Sequence, residues 1–175
     1  SHWWRSLVGA IEDDGWDAPG LGEWSVRELV AHTNRAYRTV LDYVTGEAKD
    51  PTRIDSATDY FRIVLAEETP HVHIAERARR EVLDYEGRDP VAVTEELARR
   101  TQQLLDTADG STTMHLFVGE MRLDQYLATR VVELVVHGLD LAAAIDLPTD
   151  PPTESAKVAL AVLLGATRPA DLGSV

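Results

Sequence analysis

Arg130-Val131-Val132-Glu133-Leu134-Val135-Val136-His137-Gly138-Leu139-Asp140-Leu141-Ala142-Ala143-Ala144-Ile145 is the stretch whose reading decides the fold. Between Val131 and Ile145 the only polar side chains are Glu133, His137 and Asp140. A helix that is apolar on almost every side belongs in an interior. At about 100° per residue, Arg130, Glu133, His137 and Asp140 share one narrow stripe, which Tyr126 and Ala144 extend. Glu133 and His137, one turn apart, can then offer a carboxylate oxygen and an imidazole nitrogen to a single point. Burying a lone carboxylate is costly unless a counter-charge, hydrogen bonds or a metal ion compensates it. Pairing with Arg130, or a wet side to the helix, would explain the stripe structurally; a third ligand from elsewhere would favour a metal.

The rest of the composition sets limits. At 175 residues the chain has the size of one ordinary domain, and 1–175 is read as a single one. Its 30 acidic and 17 basic residues give a formal net charge of -13, which argues against a nucleic-acid partner, since phosphate binding relies on clustered Lys and Arg. Arg77, Arg79 and Arg80 form one local basic cluster, read as a solvated helix face. With no cysteine, disulfides, thiolate ligands and a cysteine nucleophile are excluded, so any thiol chemistry needs a small-molecule thiol. No apolar run is long enough to span a membrane and no signal pattern opens the chain, so a cytoplasmic location is expected. Ser1-His2, with no Met before them, read as a remnant of expression, and His2 is not counted as a ligand.

Taken in order, Trp3 to Asp13 has helical spacing, and the loop from Trp16 to Trp24 is broken by Pro19, Gly20 and Gly22. Its two tryptophans are expected to pack that loop onto the bundle. Ser25-Val26-Arg27-Glu28 is a capping box that starts a long helix ending at Thr45-Gly46. Val26, Leu29, Val30, Thr33, Tyr37 and Val40 mark its buried face, with His32 on the shoulder. Helices are expected over 56–68, from Pro70 to about Tyr85, from Pro90 to Asp106 and from Thr153 to Ala166. His71 and His73, two apart, face different sides of a helix and make poor joint ligands. The alternation through Thr112 to Phe117 before Gly119 reads as a short hairpin or an extended crossing, with His115 able to point toward the site. Asp124 is the expected cap of the central helix.

Set side by side in a bundle, the capped helix and the central helix can bring His32 to Glu133 and His137. Two histidines and one carboxylate suit Zn²⁺ or another borderline divalent ion, Ni²⁺ included, and leave positions open for water or substrate. A di-iron carboxylate site would need further inward carboxylates and a second Glu-x-x-His motif, which the sequence lacks.

Gly22-Glu23-Trp24-Ser25-Val26-Arg27-Glu28-Leu29-Val30-Ala31-His32, followed by Thr129-Arg130-Val131-Val132-Glu133-Leu134-Val135-Val136-His137-Gly138-Leu139-Asp140-Leu141-Ala142, resembles the metal-binding N-terminal domain of mycothiol-dependent maleylpyruvate isomerase. More broadly it resembles the DinB-like superfamily of thiol-dependent transferases. The resemblance runs through nearly the whole chain. It implies an all-α, DinB-like four-helix bundle of up-down-down-up connectivity with short accessory helices, and a zinc ion held by the residues matching His32, Glu133 and His137. The full isomerase also has a sterol-carrier-like C-terminal domain that these residues do not include, so maleylpyruvate itself is not carried over.

The expected chemistry is thiol-dependent transfer or isomerisation on a small electrophilic substrate, with mycothiol or another low-molecular-weight thiol as cosubstrate. Arg130 and Asp140 are the candidate catalytic residues. Arg130 would hold a substrate carboxylate or orient Glu133. Asp140 would accept the second ring N–H of a ligand histidine, or close the helix end. Two alternatives stay open: a metal-dependent hydrolase, for which only Asp140 and His115 are candidate bases, and a metal- or thiol-binding domain without turnover. A monomer and a homodimer are equally compatible with the sequence.

Overall fold

The capping box fixes where the helix carrying His32 begins. In the computed structural model, which describes residues 1–46, 52–66, 80, 82 and 87–167, the Ser25 hydroxyl accepts from the Glu28 amide at 3.2 Å and the Glu28 carboxylate accepts from the Ser25 amide at 2.8 Å. Helix α2 then runs Val26–Val44. Before it lie α1 (His2–Val8) and a two-stranded antiparallel pair, β1 (Pro19–Leu21) and β2 (Trp24–Ser25). After it come α3 (Ala57–Ala66), α4 (Pro90–Leu105), the hairpin β3 (Thr113–Leu116) and β4 (Gly119–Arg122), α5 (Leu123–Ala144) and α6 (Thr153–Ala166). The described residues thus form the helical DinB-like bundle, with accessory helices and two small hairpins.

The apolar central stretch is buried as its composition requires. Helix α5 packs against α2 on one side and α6 on another, with α1 and α3 also in contact; α4 lies along α2. Two apolar clusters form around this arrangement. One gathers Met114, Leu116, Met121, Leu123 and Tyr126 under the β3–β4 hairpin. The other gathers Trp4, Leu7, Leu29, Val30 and Leu141 where α1 meets α2 and α5. Because α2 and α5 contribute to both clusters, their mutual placement is fixed from either side of the polar stripe. Each fully buried Leu or Val in them contributes about 1.5–3 kcal/mol relative to exposure.

Several boundaries differ from the sequence reading. Helix α1 stops at Val8, where Gly9 weakens the helix and the amide of Ala10 turns back to the Leu7 carbonyl. The supposedly irregular loop contains β1 and β2, joined through Gly22 at φ 58, a left-handed value that glycine tolerates. Trp16 is buried in the second cluster, as expected of a packing tryptophan. Asp124 does not cap α5. Strand β4 feeds straight into the helix, so Arg122 occupies the cap position, and Asp124 sits in the first turn accepting from the Arg122 guanidinium at 2.6 Å. There its charge still complements the positive helix end. Asp89 does cap α4, accepting from the Val91 amide at 3.0 Å. The alternating stretch is a hairpin, in register Thr113 to Arg122 and His115 to Glu120. The expected helix over 70–85, with His71 and His73, lies outside the described residues except for positions 80 and 82. No described helix is long and apolar enough to cross a membrane.

Candidate metal centre

Helix α2 carries His32 on the shoulder of its buried face, and α5 carries Glu133 and His137 one turn apart. Packing these helices side by side brings one ligand atom from each of the three residues within 4.8 Å of the others. The His32 and His137 rings meet edge to face, centroids 5.1 Å apart. Trp24, at the end of the β1–β2 pair, leans its ring to 4.6 Å from that of His32. All three residues are partly buried.

His137 is held at both nitrogens. Its Nδ1 lies 3.0 Å from Asp140 Oδ2 and its Nε2 lies 3.4 Å from Glu133 Oε2. A carboxylate can only accept, so Nδ1 is the donor to Asp140, and Nε2 is the nitrogen that faces the shared point. Burial alone would push the imidazole pKa down, but the hydrogen bonds and charges of Glu133 and Asp140 outweigh it and raise it. Burial pushes the Glu133 carboxyl up; the His137 hydrogen bond and the charges of Arg130, His137 and His32 reverse this and lower it to about 2. Glu133 is therefore ionised near neutrality. A divalent ion bound at this point would compete with the proton for His137 Nε2.

Arg130 lies behind Glu133 rather than beside the histidines. Its Nη2 is 3.9 Å from Glu133 Oε1, an ion-pair contact too long for a hydrogen bond. Its Nε donates to Thr129 Oγ1 at 3.0 Å, its Nη2 donates to the Tyr60 hydroxyl at 3.5 Å, and its guanidinium sits 4.7 Å from the Tyr126 ring centroid. The hydroxyl of Tyr126 donates in turn to Thr39 Oγ1 on α2 at 2.7 Å. His115 is elsewhere: its Nδ1 lies 3.0 Å from Glu120 Oε1 across the β3–β4 hairpin, and it does not join the cluster.

The sequence pattern brought His32, Glu133, His137, Arg130 and Asp140 into view. It did not bring Tyr60 or Thr39, which come from other helices, nor the contact of Trp24 with His32. Tyr126, one turn before Arg130 on the same stripe, was the one legible sign of the aromatic surround.

A family model, the mycothiol maleylpyruvate isomerase N-terminal domain, matches residues 1–142. The chain belongs to this family. Helix α6 lies beyond the matched range. No curated protein and no solved structure matches the chain. For this member of the maleylpyruvate isomerase N-terminal family, the donor set fits a metal on its own chemistry: two imidazoles and a carboxylate converge, a combination that suits Zn²⁺ and its borderline neighbours.

Proposed function

We propose that this protein binds a divalent metal, zinc in the first place and nickel as the alternative, through His32, Glu133 and His137, and uses it for thiol-dependent transfer or isomerisation of a small electrophilic substrate. The observation that carries the reading is the convergence of three ligand atoms from two helices at a partly open point. When bound, the ion would stabilise the anionic form of a thiol at neutral pH. With no cysteine in the chain, that thiol comes from a small molecule, and the family points to mycothiol.

The chain's own groups prepare the site. Asp140 fixes the His137 tautomer, and Glu133 stays ionised. In the proposed reaction the sulfur of the thiolate forms a bond to an electrophilic carbon. For an isomerisation, addition to a double bond allows rotation, and elimination then restores the double bond and releases the thiol. For a transfer, a leaving group departs with the electron pair of its broken bond. We place the reaction in the cytoplasm, where low-molecular-weight thiols are kept reduced.

The hydrolase reading is weaker because its candidate bases are engaged: Asp140 serves His137, and His115 pairs with Glu120 on the hairpin. The test begins with elemental analysis of purified wild type and of His32→Ala, Glu133→Ala and His137→Ala. Near-stoichiometric metal that disappears in all three supports the centre. Turnover of electrophiles only in the presence of a thiol then supports the transferase, thiol-independent ester or amide cleavage supports the hydrolase, and metal-dependent stabilisation without turnover supports a binding domain. A wild type that cannot be loaded with metal removes the proposal.

A further inference from the structure

The two oxygens of Glu133 have separate partners. Oε1 faces Arg130 Nη2 at 3.9 Å, and Oε2 faces His137 Nε2 at 3.4 Å. Since His137 Nδ1 is committed to Asp140, Nε2 and Oε2 are the atoms on the ligand side. We infer that Arg130 is a positioning residue that retains Glu133 by Oε1, so that the carboxylate meets the metal through Oε2 alone. This rests on the metal reading above and adds to it the mode of carboxylate ligation.

Three features give Arg130 this role rather than that of a substrate anchor. Its side chain is 10% exposed, so a substrate carboxylate has little access to it. Its Nε and Nη2 are directed at Thr129 and Tyr60. Its guanidinium lies 4.7 Å from the ring centroid of Tyr126 and 5.7 Å from that of Tyr60, a cation–π surround that fixes it further. The surround is itself anchored, because Tyr126 donates to Thr39 on α2, the helix that carries His32. One set of contacts thus ties the guanidinium to both ligand-bearing helices. A buried guanidinium is costly without a counter-charge, and Glu133 Oε1 supplies it. The consequence for chemistry is an extra open position, because a carboxylate bound through both oxygens would occupy two.

The test uses Co²⁺ in place of the native ion, since its visible absorption is strong in four- and five-coordinate sites and weak in six-coordinate ones. Arg130→Met frees Oε1, so the variant is expected to bind Co²⁺ with wild-type stoichiometry but to lose visible absorbance severalfold. Arg130→Lys, which keeps the charge without the planar fork, is expected to recover part of it. A wild-type spectrum in Arg130→Met overturns the inference. Should that variant fail to fold, Tyr60→Phe and Thr129→Val remove the guanidinium's acceptors while keeping its charge. A smaller loss in the same direction is then expected, and unchanged spectra in both would overturn the inference. A wild type that takes up no Co²⁺ would instead defeat the metal reading itself.

Discussion

Asp140 accepts from His137 Nδ1 at 3.0 Å, one turn further along the same helix. This contact orients the imidazole, leaving Nε2 toward Glu133 and His32. The polar stripe of α5 is therefore a run of neighbours in contact, in which Arg130 faces Glu133, Glu133 faces His137, and Asp140 holds His137 from the other side.

Replacing Asp140 should weaken metal binding without unfolding the chain, because the carboxylate is partly exposed and at the edge of the bundle. Outer-shell partners of ligand histidines are worth about 10–100-fold in metal affinity. Asp140→Ala is expected to fall in that range, and Asp140→Asn, which keeps an acceptor oxygen, to fall less. Competition with a metal-chelating dye measures both. An Asp140→Ala variant with wild-type affinity would show that the contact merely ends a helix.

What could be read beforehand followed from local spacing. The Ser25-x-x-Glu28 box and the Arg130, Glu133, His137, Asp140 periodicity are sequence-local facts, and both persist in three dimensions. Helix α6 was equally plain, since Pro151-Pro152 and an apolar run delimit it. Strands β1 and β2 were not, because segments of three and two residues are too short to show a period. Asp124 reads as a cap from the sequence because nothing local reveals that β4 runs unbroken into α5, which puts Arg122 at the cap position. Tyr60 and Thr39 could not be foreseen around Arg130 at all, since only packing between helices brings them there.

The capping box holds the start of the helix that delivers His32. Ser25→Ala removes the acceptor for the Glu28 amide and disorganises the return contact, so a loss of about 1 kcal/mol is expected. Ser25→Asp should retain most of it. Urea unfolding of the metal-free protein compares the three. Equal stability of Ser25→Ala and wild type would mean that packing alone fixes the helix start.

Two glycines at positive φ should differ in cost. Gly119, at φ 141, has no space for a side chain because a Cβ there would run into the Thr52 carbonyl oxygen. Gly22, at φ 58, has nothing within 4 Å. Gly119→Ala is thus expected to lose about 1–3 kcal/mol and to loosen the bonds between Glu120 and the 52–54 segment. Gly22→Ala should lose only about 1 kcal/mol from its backbone conformation. Denaturant titration decides; equal losses would mean that the Thr52 contact yields easily.

The pair Arg5–Glu95 joins α1 to α4 through both carboxylate oxygens, with Nε 2.8 and 2.9 Å from them and Nη2 closing the fork. The hydrogen bond from Arg5 lowers the Glu95 pKa below its ordinary 4.5. A carboxyl lowered in the folded state adds stability above its unfolded pKa and loses it as pH falls through the folded value. The contribution is therefore complete near neutrality and fades in acid. Both side chains are more than a third exposed, so solvent screening limits it to less than about 1 kcal/mol. Glu95→Gln should be slightly less stable than wild type at about pH 7, should draw level with it as the pH falls below the ordinary carboxylate range, and should differ less at high salt. Urea midpoints across that range measure it, and a difference that persisted in acid would point to lost packing between α1 and α4 instead of lost charge.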